Sequence, residues 1–211
     1  MASFEFEGNT AFSDQELAKV LESFTNRPIT FAELLGVETA ITSYYTEAGY
    51  INSGAVIPAG QTFSPKDAVI KIQIIEGKLE DIQVQVEGRL QPNYIKSRLA
   101  IATGQPFNRN RLLEALQLLQ LNPLIQSISA DLTAGATPES SLLIINVKEA
   151  DTFTGALFTD NSRVRSIGRW QRGLNISQGN VFGWGDSGFI NYANSEGSNA
   201  ISGSYTLPLN P

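Results

Sequence analysis

The sequence predicts an α+β chain: two tandem β-α-α-β-β modules followed by the first antiparallel strands of a transmembrane β-barrel. Three observations carry this. A unit of about 75 to 80 residues occurs twice before residue 152, the composition changes there, and the last 59 residues alternate apolar and polar positions without a helical period. Nine of the 18 glycines and both tryptophans sit in that short tail. Residues 1–152 carry 11 basic and 18 acidic side chains, net −7, whereas residues 153–211 carry 4 and 3, net +1. The change places a boundary near Asp151.

Each module opens on a half-buried strand that ends in glycine. Phe4 and Phe6 alternate with polar residues up to Gly8, and Ile82, Val84 and Val86 do so up to Gly88. Two helices follow in each. Ser13 with Glu16 forms a capping box ahead of Leu17, Val20, Leu21 and Phe24, and Thr30 with Glu33 forms another ahead of Leu34, Val37, Ile41 and Tyr45. In the second module Pro92 suits a first helical turn before Ile95 and Leu99, and Asn108 can cap a helix carrying Leu112, Leu113, Leu116 and Leu119. Each module closes on two strands, over residues 51–57 and 68–76 and again over 125–132 and 141–149. In the closing strands Ile70, Ile72 and Ile74, then Leu143, Ile145 and Val147, recur at period two.

In the tail, Trp170, Leu174 and Ile176 alternate with polar neighbours, as do Ile201, Tyr205, Leu207 and Leu209. This is the apolar-out, polar-in dyad of a membrane-spanning strand, with Arg172 as its exception. Turn signals at Asn161-Ser162, at residues 179–186 and at residues 196–199 leave room for four strands. Four strands cannot close a barrel, so more strands are expected past Pro211.

Composition excludes several chemistries. With no histidine and no cysteine, the chain has no disulfide, no cysteine nucleophile, no imidazole base and no zinc site built on those side chains. A net charge of −6 has the wrong sign for nucleic acid. No apolar run is long enough for a transmembrane helix. The glycine-rich stretch 179–186 lacks the Lys-Ser/Thr of a phosphate loop and reads as a barrel turn. Glu80 and Asp81, adjacent on a strand, face opposite sides and read as solvated rather than catalytic. Asp160, Asn161 and Asp186 lack EF-hand spacing, and Arg163, Arg165, Arg169 and Arg172 suit a wet barrel interior or a headgroup rim. No enzyme activity, cofactor or metal is expected.

The wording of the chain resembles a known family. Tyr44-Tyr45-Thr46-Glu47-Ala48-Gly49-Tyr50, then Ala55-Val56-Ile57-Pro58-Ala59-Gly60-Gln61 and the run from Ile70 to Leu79, is similar to the POTRA (polypeptide-transport-associated) domain of two-partner secretion transporters. Leu116-Gln117-Leu118-Leu119-Gln120 with Asn122-Pro123-Leu124 resembles the second such domain. Thr159-Asp160-Asn161-Ser162, Gly179-Asn180-Val181-Phe182-Gly183-Trp184-Gly185-Asp186 and Ser204-Tyr205-Thr206-Leu207-Pro208-Leu209 resemble the first barrel strands and turns of the haemolysin and filamentous-haemagglutinin secretion-activation type.

The resemblance implies POTRA domains at 1–77 and 78–151 and barrel strands at 152–211. It implies an outer-membrane protein whose periplasmic POTRA domains receive the N-terminal secretion domain of an exoprotein, with outer-membrane lipid around the barrel. A barrel-assembly factor of the same superfamily and a soluble POTRA scaffold are the alternatives; the first usually carries more POTRA units, and the tail strands argue against the second.

Client binding is expected along the edge at residues 51–57, with a groove beside it. The candidate residues are Tyr45, Tyr50, Ile51, Ala55, Val56 and Ile57, joined by Ile125 and Ile128 on the matching strand of the second module. The Ser53-Gly54 interruption and Pro58 predict a short edge with free backbone groups, and a proline at Val56 would block pairing if the Val56 N–H points outward.

Overall fold

A computed structural model describes residues 2–61, 68–164, 166 and 168–209. Elements follow in the order β1 (Ala2–Glu7), α1 (Asp14–Val20), a short 3₁₀ turn (Glu22–Phe24), α2 (Phe31–Glu47), β2 (Gly54–Val56), β3 (Ala68–Ile75), β4 (Lys78–Glu87), α3 (Pro92–Ala102), α4 (Arg109–Gln120), β5 (Ile125–Ala134), β6 (Ser140–Glu149) and β7 to β10 (Phe153–Asp160, Gln171–Gly179, Ser187–Ser195, Ser198–Thr206). The doubled β-α-α-β-β order and the strand-only tail are both present.

Both capping boxes form. Ser13 Oγ accepts from the Glu16 N–H while a Glu16 carboxylate oxygen accepts from Ser13 N at 2.8 Å, and Thr30 and Glu33 repeat the arrangement. The Thr30 N–H, with Arg27 beside it, holds the Glu33 carboxyl down to about 2. α1 stops at Val20, so Phe24 lies in the 3₁₀ turn rather than in the helix. α2 ends in a Schellman motif: Tyr50 N donates to Tyr45 O at 2.9 Å and Gly49 N to Thr46 O at 3.0 Å, with Gly49 at φ +98°. The accompanying apolar contact is Tyr45 against Tyr50, ring centres 5.8 Å apart.

The first sheet has the order β1-β3-β2, with β1 parallel and β2 antiparallel to β3. Alternation along β3 buries Ile70, Ile72 and Ile74 against Leu17, Leu21, Val37, Ile41 and Tyr45. The second sheet has the order β4-β6-β5. Leu143 and Ile145 on β6 are fully buried, as are Ile95 and Leu99 on α3 and Phe107 ahead of α4. Asn108 caps α4, its Oδ1 accepting from Asn110 N at 2.9 Å and Arg111 N at 3.3 Å.

By internal contact the chain falls into two compact units. One is Met1–Gln83 with Ala100–Glu114 and Asp131–Ile144; the other is Val84–Leu99 with Ala115–Ala130 and Ile145–Pro211. The division passes through the second module. Within the first unit, Arg109 N donates to Gly49 O at 2.9 Å, Asn108 Nδ2 to Ala48 O at 3.0 Å and Phe107 N to Gly77 O at 2.8 Å. The start of α4 thereby satisfies carbonyls left over at the end of α2.

Two expectations need correction. The strand expected over 51–57 is only three residues long, because residues 50–53 are used in a turn closed by Ser53 N on Tyr50 O at 3.1 Å. Glu80 is not merely solvated: it accepts from Ala136 N at 2.8 Å and Ser140 Oγ at 3.1 Å, fastening the β5–β6 turn.

Candidate functional site

β2 lies at the edge of the first sheet, paired through Gly54–Ile75, Ala55–Ile74 and Val56–Gln73. Its outward donors are already engaged. Thr42 Oγ1 on α2 accepts from Ala55 N at 3.1 Å, and Glu38 Oε1, one turn earlier, accepts from Ile57 N at 2.5 Å. Donors alternate along a strand, so the Val56 N–H faces β3 instead of solvent. The expected edge exists, but its backbone donors are capped by two polar side chains of the helix, and proline at Val56 would strike the sheet's own ladder.

A groove of about 580 Å³ runs beside this edge, lined by Thr42, residues 51–56, Ile75, Pro138 and Glu139. Val56 is 44% exposed on it and Ile75 38%. Ile51 also lines it, and Ile57 is partly buried nearby. The same stripe of α2 that carries Glu38 and Thr42 continues through Leu35 and Phe31, which are 52% and 79% exposed. These two residues were missed in the sequence, although their spacing from Glu38 and Thr42 follows the helical period.

Four candidates are placed differently from expectation. Tyr45, Tyr50 and Ala55 belong to the core of the first module, and Ile125 is buried at the start of β5. Tyr45 is fully buried, its ring edge-on to Phe12 at 4.9 Å and its hydroxyl donating to Glu76 Oε1 at 3.0 Å. Burial and the Glu76 carboxylate both push the Tyr45 hydroxyl above its ordinary pKa. Burial would raise Glu76, but donors from Ala11, Thr10 and Tyr45 outweigh it and leave the carboxyl below its usual range.

β5 is an edge of the second sheet and ten residues long. Among the described residues, no side chain caps a backbone N–H of residues 126–133. Ile128 sits partly buried in a shallow depression of about 590 Å³ with Val86, Ser127, Ser129 and Val147.

The four tail strands form an antiparallel meander, β10-β9-β8-β7. Cross-strand register places Leu157, Leu174, Tyr192 and Ile201 in one row and Gly155, Ile176, Ile190 and Gly203 in the next, all on one face. Phe153, Gln178, Gly188 and Tyr205 form a third row on that face. Leu157 and Ile201 are 85% and 77% exposed, so this face has no protein partner among the described residues. The opposite face carries Asn175, Ser177, Asn191, Ala193, Ser202 and Ser204. Arg172 ceases to be an exception: its row is Thr159, Asn194 and Asn199, and its Nε donates to Asn194 Oδ1 at 3.1 Å. This row is a polar margin to the apolar band. Trp170 and Leu207 lie just outside β8 and β10, and Arg165 lies outside the described residues.

No helix is long and apolar enough to cross a membrane, and no cluster of potential metal ligands occurs, both among the described residues.

Comparison with known proteins gives two family matches. Residues 1–77 match the POTRA domain, ShlB-type, and residues 139–211 match the haemolysin secretion/activation protein ShlB/FhaC/HecB. Among curated relatives, the heme/hemopexin transporter protein HuxB of Haemophilus influenzae strain 86-028NP is 21% identical over 81% of this chain and 30% of its own length. The outer membrane transporter CdiB of Dickeya dadantii strain 3937 is 21% identical over 99% of this chain and 37% of its own. The chain thus spans about a third of the length of these relatives. Among solved structures, CdiB from Escherichia coli superposes with a TM-score of 0.62 at 24% identity, over 98% of this chain and 39% of that one.

Proposed function

We propose, from the premise that residues 1–77 are a ShlB-type POTRA domain and residues 139–211 a ShlB/FhaC/HecB secretion/activation segment, that the chain is the POTRA region and first barrel strands of a two-partner secretion transporter. It works in the outer membrane with its POTRA domains in the periplasm, and its partner is the N-terminal secretion domain of an exoprotein. The action is binding and guiding an extended polypeptide, without covalent chemistry.

The observation that carries the client reading is the groove beside β2. An extended client segment lies along residues 54–57, contacts Val56 and Ile75, and continues past Leu35 and Phe31. Pairing with β2 requires Thr42 and Glu38 to release Ala55 N and Ile57 N, so the edge is held closed until a client offers better acceptors. Such a gate lowers affinity and suppresses unspecific edge pairing. The β5 edge, with Ile128 beside it, is the second candidate for the same kind of contact.

The test is a titration of the 211-residue chain against the client's secretion domain. Thr42→Val with Glu38→Ala frees both donors and tightens binding roughly tenfold, each freed hydrogen bond contributing about 0.5–1.5 kcal/mol. Val56→Asp weakens binding while leaving the helix content unchanged. Unchanged affinity in both variants would remove the β2 groove from the mechanism and leave β5.

A further inference from the structure

The groove beside β2 is walled from both modules. Thr42 on α2 stands on one side, and Pro138 and Glu139, in the turn between β5 and β6, stand on the other. All of these residues fall within the first compact unit. β2 is only three residues long, so ladder pairing offers an incoming strand about two hydrogen bonds and little basis for choosing among sequences. Discrimination has to come from the side chains around the edge.

The second module's turn is fixed in place by its own bonds. Ser140 N donates to Thr137 O at 2.9 Å, and Thr137 N donates to Ser140 Oγ at 3.0 Å. A Cβ at Gly135 would strike Ser140 Oγ and Glu80 Oε2, so glycine there lets the Glu80 carboxylate lie against the turn. Two more bonds tie the turn to the groove. Asn52 Nδ2 donates to Ser141 Oγ, and Lys78 N donates to Glu139 O at 3.0 Å. Lys78 follows Ile75 by three residues and Ile75 pairs with Gly54, so Glu139 stands at the Gly54 end of β2. Val56 and Ile75 supply apolar surface beside it.

Among the described residues that line the groove, Glu139 carries the only charged side chain. Its own N–H and the Thr137 hydroxyl, with a contribution from Lys78, hold its carboxyl below the usual range, so it is ionised at neutral pH. Residues 1–77 carry 10 acidic and 4 basic side chains, net −6, and that field favours a cation at this carboxylate. Glu38 places a second carboxylate at the Ile57 end of the edge.

We infer that the groove is a two-module site that selects a client segment by charge as well as by strand pairing. An apolar side chain of the segment rests on Val56 and Ile75, and a lysine or arginine about two positions away, ~7 Å along the strand, meets Glu139. The inference rests on the client reading proposed above. It gives the second module a contact in the groove of the first, so that one client strand engages both.

The test uses the 211-residue chain in a Glu38→Gln background, which keeps an oxygen for Ile57 N and removes the other carboxylate at the edge. Capped seven-residue peptides of alternating threonine and valine, with lysine, glutamine or glutamate at one alternate position, are titrated calorimetrically at low salt. The inference predicts that the lysine peptide binds about threefold more tightly than the glutamine peptide, the size of an exposed charge pair. Glu139→Gln should equalise the two, and Glu139→Lys should reverse the order in favour of the glutamate peptide. A lysine preference that is absent in the background chain, or that survives both Glu139 variants, would overturn the charge selection. If Val56→Asp still weakened the glutamine peptide in that case, the β2 groove itself would stand. Failure of every peptide to bind, or binding indifferent to Val56→Asp, would overturn both.

Discussion

Glu76 closes the first module's core from the end of β3. It accepts from Thr10 N at 2.7 Å, Ala11 N at 2.8 Å and the buried Tyr45 hydroxyl at 3.0 Å, tying the β1–α1 connection to α2. Removing it leaves those donors unmet in a part-buried site, so Glu76→Ala is expected to cost about 2–4 kcal/mol in urea unfolding. Because the folded carboxyl lies below its ordinary range, its stabilisation is complete above an unfolded pKa near 4.5 and is lost as pH falls through the folded value. The gap between wild type and Glu76→Gln should therefore be widest at neutral pH and narrow below about pH 4. A gap that stays constant from pH 7 to pH 3 would show that the charge contributes nothing. This bond also explains why the spacing of Tyr44, Tyr45 and Tyr50 did not distinguish core from groove. The partner that draws Tyr45 inward lies 31 residues later in the chain.

Elements were legible where the signal is local. Both capping boxes, Pro92 at the start of α3, Asn108 at the cap of α4 and the period-two runs of β3 and β6 follow from neighbouring residues. Thr30→Ala should accordingly lower stability by about 1 kcal/mol, measured by thermal unfolding. β2 was overextended because the Schellman turn after α2 consumes residues 50–53, and its capped donors depend on side chains of a helix more than ten residues away. In the tail, the dyad gave the apolar face but not the meaning of Arg172, which appears only when register sets it beside Asn194 and Asn199. Neighbouring residues on β9 offer a sharp check. Ile190 and Asn191 face opposite sides, so Ile190→Arg should destabilise the membrane-inserted strand by about 2–4 kcal/mol while Asn191→Arg is tolerated on the polar face. Equal effects on heat-modifiable migration in folded, lipid-reconstituted protein would refute the facing.

At the scale of the molecule, the chain combines β-α-α-β-β modules, the first of them proposed to bind an extended polypeptide, with a sheet whose apolar face has no protein partner among the described residues. Residues 1–211 in plain buffer should associate through that face and through the unpaired edges of β7 and β10, whereas residues 1–152 should not. Light scattering reads the difference directly. The central claim concerns the client, and amide hydrogen exchange of the chain with and without the client's secretion domain tests it most directly. Ladder pairing to β2 predicts slower exchange, by about tenfold or more, at Ala55 and Ile57, with altered protection around Glu38 and Thr42 as their caps are displaced. Unchanged exchange at all four positions under saturating client would contradict the account.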